Sequence, residues 1–162
     1  MDVALTYRTD VITMDKGAVR SILESSGFFN KEEIDMGVSL VAERLEKGLA
    51  SGYLFLFCEK EERAVGYTCY GHIDGTASSF DLFWIAVDQS LRGNGIGREL
   101  MRQTLEDIQR QGGTRVYVET SSTDLYQPTR LFYEKQGYIC EGMQTDYYGP
   151  GDSKMLYVKV LS

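Results

Sequence analysis

Residues 85–105 read IAVDQSLRGNGIGRELMRQTL. An apolar run breaks into a glycine-rich loop and resumes as an amphipathic helix. Gly93, Gly95 and Gly97 stand at alternate positions where the helical pattern begins. Backbone N–H groups at a helix start have no intrahelical acceptor, and the peptide dipoles make that end positive. Glycines there place no Cβ over the backbone, so an anion can rest on several N–H groups at once. Arg92 and Arg98 flank the loop and add charge. The stretch therefore reads as a phosphate or pyrophosphate cradle, or more plainly as a strand-to-helix turn that needs positive φ.

Two well-known phosphate loops fit poorly. No Gly-Lys-Ser/Thr follows, which excludes the P-loop. Gly93 and Gly95 fit the first two positions of the dinucleotide fingerprint G-x-G-x-x-G, but the third falls on Arg98. Glu119 does lie near the ~20-residue distance at which such a unit carries its ribose-binding acid. A dinucleotide unit, however, opens its own βαβαβ series, whereas three antiparallel-looking strands precede this loop.

Working outward, SSFDLFWIAV (78–87) reads as a strand, and its apolar run from Leu82 to Val87 predicts burial on both faces. YLFLFCEK (53–60) and AVGYTCYGHI (64–73) read as a hairpin joined by a charged turn. Earlier still come a first strand near Val3 to Thr6 and a short helix carrying Val19, Ile22 and Leu23. A longer helix follows, in which Ile34, Val38, Val41 and Leu45 recur between an Asn30 cap and a Gly48 stop. Downstream, Ile96, Leu100, Met101, Leu105 and Ile108 mark one face of a helix closed by Gly112 and Gly113. RVYVETS (115–121) is a strand, QPTRLFYEKQGY (127–138) a short helix between Pro128 and Gly137, and two last strands flank GPGD (149–152). This order predicts an α/β mixed sheet with helices on its faces, in a single domain over residues 1–162.

The net charge of −7 argues against a nucleic-acid partner and favours the approach of a cationic ligand. No run approaches the ~18 apolar residues of a membrane span. The N-terminus lacks the basic head and apolar core of a signal peptide, so the expected location is cytoplasmic. Cys58, Cys69 and Cys140 are odd in number and set inside apolar runs, which predicts reduced, buried thiols. With one histidine, His72, and no closely spaced cysteine pair, no metal site is expected.

Two motifs together resemble the GNAT superfamily of acyl-CoA N-acyltransferases. The signature Arg/Gln-x-x-Gly-x-Gly/Ala is matched by Arg92, Gly95 and Gly97, after Ile85, Ala86 and Val87. A second, aromatic-Tyr-Glu-Lys-x-Gly-aromatic, is matched by Phe132, Tyr133, Glu134, Lys135, Gly137 and Tyr138. The position where many members carry an asparagine, seven residues before the motif tyrosine, holds Tyr126. The resemblance implies about seven strands, helices on both faces, and a splay between the strands bearing Val87 and Glu119. It implies acetyl-CoA as acyl donor, its pantetheine arm on the backbone of Ile85, Ala86 and Val87. Its pyrophosphate would lie on the N–H groups of Arg92, Gly93, Asn94, Gly95, Ile96 and Gly97, extending to Arg98. Homodimers are common in the family, and the final strands suit that role.

Acetyl transfer to an amine sets three chemical requirements. An amine with a lysine-like pKa of ~10.4 must lose a proton. The oxyanion needs a donor, and the departing thiolate needs an acid. Direct transfer in a ternary complex requires no covalent enzyme intermediate. By its place in the second motif, Tyr133 corresponds to the tyrosine that faces the CoA sulfur, which makes it the candidate acid. Glu119 is the first choice for the base and Asp81 the second; either carboxylate can instead hold a substrate cation. His72, alone near a strand end, reads as a surface residue. Tyr67, Tyr70, Phe83, Trp84, Tyr147 and Tyr148 are candidates to line an acceptor pocket, with core packing the plainer reading for most. The expected function is N-acetyl transfer to a primary amine of a small molecule, amino-acid derivative or peptide. The alternative is a catalytically silent CoA-binding sensor or regulatory module.

Overall fold

The periodic stretches become, in chain order, β1 (Leu5–Arg8), α1 (Asp15–Ser25), α2 (Lys31–Lys47), β2 (Leu54–Lys60), β3 (Arg63–His72) and β4 (Ser79–Val87). After them come α3 (Ile96–Arg110), β5 (Arg115–Ser121), α4 (Gln127–Lys135), β6 (Ile139–Gly149) and β7 (Asp152–Val160). The computed structural model describes residues 4–162. Val3, at the start of the expected first strand, lies outside them. The seven strands form a mixed sheet in the order β1-β2-β3-β4-β5-β7-β6, with β4 and β5 parallel and the pairs β1/β2, β2/β3, β5/β7 and β6/β7 antiparallel. By contact the chain groups into two units.

The first unit comprises residues up to Gly71 and Phe83–Thr104. Asn30 caps α2 as expected: its side chain accepts from Glu33 N, and the Glu33 carboxylate accepts from Asn30 N. Val19, Ile22 and Leu23 of α1 and Ile34, Leu40 and Val41 of α2 pack with Phe55, Phe57, Tyr67 and Cys69 of the sheet. The opposite face receives α3 as far as Thr104, whose Oγ1 shares a buried 2.7 Å hydrogen bond with Thr68 Oγ1. Helices thus cover both faces of this part of the sheet. Asp15, 1 % exposed, takes a bidentate ion pair from Arg8 at 2.6 and 2.9 Å and also accepts from Ile12 N.

The second unit comprises His72–Leu82 and Leu105–Ser162. Here β4 pairs with β5 through only three residues, Ser79 with Arg115, Phe80 with Val116 and Asp81 with Tyr117. Phe80, Val116, Val118 and Tyr157 share one sheet face, where Ile108 of α3 and Tyr133 of α4 pack. Asp81, Tyr117, Glu119, Leu156 and Lys154 share the other.

Three expectations are corrected. Leu82 is buried, but Phe83 is exposed and Trp84–Val87 are half-buried, so the end of β4 is not enclosed on both faces. On α3, Thr104 is buried and Leu105 only half-buried, because the threonine hydroxyl finds its partner in Thr68 and can occupy the core stripe. Cys140 is exposed, unlike Cys58 and Cys69, because it lies on β6, the last strand of the sheet order, which is exposed over nearly its whole length.

Candidate functional site

The glycine loop is held from behind by its own chain. Asp88 N donates to Val65 O at 2.7 Å, and Gln89 N donates to Ser25 Oγ at 3.0 Å. Asp88 Oδ1 accepts from Ser90 N and Ser90 Oγ, and Asn94 Nδ2 donates to Leu91 O. Gly93 and Gly95 have φ of +85° and +76°, and a Cβ on either would meet nothing within 4 Å. Gly97 lies inside α3 and does not share the positive φ. The first turn of α3 closes with Glu99 N donating to Gly95 O, so Ile96, Gly97 and Arg98 present their N–H groups ahead of the ladder. The Ile96 side chain is buried, leaving only its backbone for a ligand.

Arg92 and Arg98 are exposed beside this helix start. The acid of the first turn, Glu99, is drawn along the helix to Arg102 and Gln103. The Arg102 bond, then the Gln103 bond, hold its carboxyl down at about 2. With that carboxylate diverted, the open backbone donors and two cations form a donor set that suits a diphosphate.

A cavity of about 240 Å³ lies in the second unit, lined by Ile73, Asp81, Tyr117, Val118, Glu119, Leu156 and Tyr157. It brings Asp81 and Glu119 together. Register explains why: Asp81 pairs with Tyr117, and Glu119 follows two residues later on the same face. Burial, and then the charge of Glu119, push the Asp81 carboxyl above the ordinary range. Glu119 Oε2 lies 3.3 Å from Lys154 Nζ, and that ammonium sits 3.8 Å from the centre of the Tyr147 ring. Tyr133 is 7 % exposed, with the Phe132, Tyr138 and Tyr157 rings at 5.8, 5.6 and 6.3 Å. Burial pushes its phenol well up.

A family model for the acetyltransferase (GNAT) family matches residues 18–138. The chain belongs to the GNAT family. A crystal structure of a GNAT family protein from Desulfovibrio desulfuricans is 37 % identical with a TM-score of 0.95, covering 98 % of this chain and all of that one. Two more distant structures share the fold. The ribosomal-protein-S18-alanine N-acetyltransferase of Escherichia coli is 17 % identical, TM-score 0.76, covering 98 % of this chain and 95 % of that one. The PaiA N-acetyltransferase of Thermoplasma acidophilum, in complex with coenzyme A, is 16 % identical, TM-score 0.75, covering 98 % and 99 %. No curated protein matches the sequence.

For a GNAT chain, the structure sorts the expected residues into two groups. Ile85, Ala86, Val87 and the cradle from Arg92 to Arg98 belong to the first unit. Asp81, Glu119 and Tyr133 belong to the second: the two carboxylates line the cavity, whereas Tyr133 packs on the opposite sheet face against Tyr157. His72 is exposed, its Nε2 3.0 Å from Thr76 O. Of the aromatic candidates, Tyr67 and Tyr70 are core, Trp84 packs on Phe29, and Phe83, Tyr147 and Tyr148 are exposed. Sequence reading missed Lys154, whose contact with Glu119 depends on the β5/β7 register. An alternating strand opposite VYVET was its only signal. Among the described residues, no helix is long and apolar enough to cross a membrane, and no group of three or more His, Cys, Asp or Glu is placed to hold a metal.

Proposed function

We propose that this GNAT chain, acting as one domain over residues 1–162, is an acetyl-CoA-dependent N-acetyltransferase. Its acceptor is a primary amine of a small molecule, amino-acid derivative or peptide, acetylated by direct transfer. The observation that carries this reading is the cavity in which two carboxylates stand in unlike environments, Asp81 half-buried and Glu119 ion-paired. The names of two of the structural relatives, both N-acetyltransferases and one in complex with coenzyme A, support it.

Acetyl-CoA, when bound, supplies an acyl group activated as a thioester. The segment from Arg92 to Arg98 would hold its diphosphate, and the backbone of Ile85, Ala86 and Val87 its arm. Asp81 takes the proton of the incoming ammonium, because its raised basicity lies nearer the working pH than that of an ordinary carboxylate. Glu119, tied to Lys154, acts as a fixed charge that keeps Asp81 basic. Tyr133 Oη keeps its proton at neutral pH and serves as the acid.

The test is release of free CoA from acetyl-CoA across a panel of primary amines. Wild type is expected to turn over, and Tyr133→Phe to lose about a hundredfold in kcat with its melting temperature kept. CoA binding without turnover on any amine overturns the enzyme reading in favour of a CoA-binding regulatory module.

A further inference from the structure

We infer that Lys154 sets the acceptor class: by holding the Glu119 carboxylate in an ion pair it leaves Asp81 as the carboxylate free to pair with an acceptor ammonium, so the cavity selects amines bearing a single positive charge on an apolar body. This rests on reading the cavity as the acceptor's place.

The lysine is built in. Its side chain is 11 % exposed, against 54 % for Glu119. Across the β5/β7 pair Glu119 faces Leu156 and Ser121 faces Lys154, so the two ionic groups are diagonal neighbours on one face. Above the ammonium lies the Tyr147 ring, a cation–π contact at 3.8 Å. Irregular β6/β7 pairing between Gln144 and Gly149 re-aims the chain at that tyrosine, where Asp146 takes a φ of +56°. Two bonds fix the bend: Asp146 N donates to Ser153 Oγ and Gly151 N donates to Asp146 Oδ1. A free surface lysine would swing away from an exposed glutamate at little cost. This one is confined by strand and ring.

The rest of the lining is Ile73, Tyr117, Val118, Leu156 and Tyr157. Its 240 Å³ leaves room for a small amine. The field of a −7 chain attracts every cation alike, so discrimination between one charge and two must be local. A second ammonium would meet apolar walls or the Glu119 carboxylate, already engaged by Lys154.

The experiment is calorimetric titration of the full chain at neutral pH, without acetyl-CoA. The probes are hexylamine and hexamethylenediamine, which share a carbon skeleton and differ by one charge. Wild type is expected to hold hexylamine about tenfold more tightly, the scale of one like-charge contact. Lys154→Met should raise diamine affinity and close that gap, Lys154→Arg should keep the wild-type ratio, and Glu119→Gln should weaken both probes. An unchanged ratio in Lys154→Met, or no binding of either amine to wild type, overturns the inference. Turnover on the amine panel with an unmoved ratio defeats this inference and leaves the acetyltransferase reading standing. Charge-selective binding without turnover does the reverse.

Discussion

Gly66 of β3 faces Ile96 of α3 so closely that a Cβ built on the glycine would lie 3.3 Å from Ile96 Cγ2. Leu100 Cδ1 at 3.2 Å and Ala86 O at 3.4 Å complete the same contact. The missing side chain lets the helix start settle onto the strand, and the glycine loop is carried at that start.

Gly66→Val should therefore act at a distance. The added methyl groups would overpack this contact, costing about 1–3 kcal/mol in urea denaturation. They would also displace the start of α3, so CoA affinity, read by calorimetry, should fall although Gly66 is not one of the residues assigned to hold it.

Gly95 gives the direct test of the cradle. A Cβ there meets open space, so Gly95→Asp brings backbone strain at φ +76° and a negative charge, but no clash. The variant should fold and lose the rise in melting temperature that CoA gives wild type. A rise of wild-type size in Gly95→Asp would remove the loop from the donor site.

Asp81 is expected to trade stability for chemistry. Its carboxyl is raised in the folded chain, so the fold holds that proton more tightly than the unfolded chain does. The contribution favours folding below the ordinary carboxylate pKa and is lost as pH rises through the folded value. Asp81→Asn should therefore melt higher than wild type at neutral pH, with the gain vanishing in acid, while kcat/KM falls about 10²–10³-fold. Glu119→Gln removes a charge that raises Asp81, so the acid limb of the pH–rate profile should move to lower pH.

Local chemistry was the legible part of this chain. Asn30 and Glu33 announce their capping box because both partners lie within one turn. The cradle, too, is local: glycines, arginines and a helix start within seven residues of one another. Asp81 and Glu119 were visible as candidates, but their meeting depends on a three-pair parallel register that no short stretch encodes. Lys154 was harder still, since its role needs the β5/β7 register and the irregular β6 strand that brings Tyr147 over its ammonium. The exposed Cys140 failed for a related reason, because its apolar neighbours say nothing of whether their strand ends the sheet.

Mass spectrometry of acceptor and protein after incubation with acetyl-CoA shows where the acetyl group goes. Direct transfer to an amine nitrogen gives an N-acetylated amine, with no acetylated protein when the acceptor is withheld. An acetyl group accumulating on the protein without acceptor, or CoA bound and no amine acetylated, would contradict it.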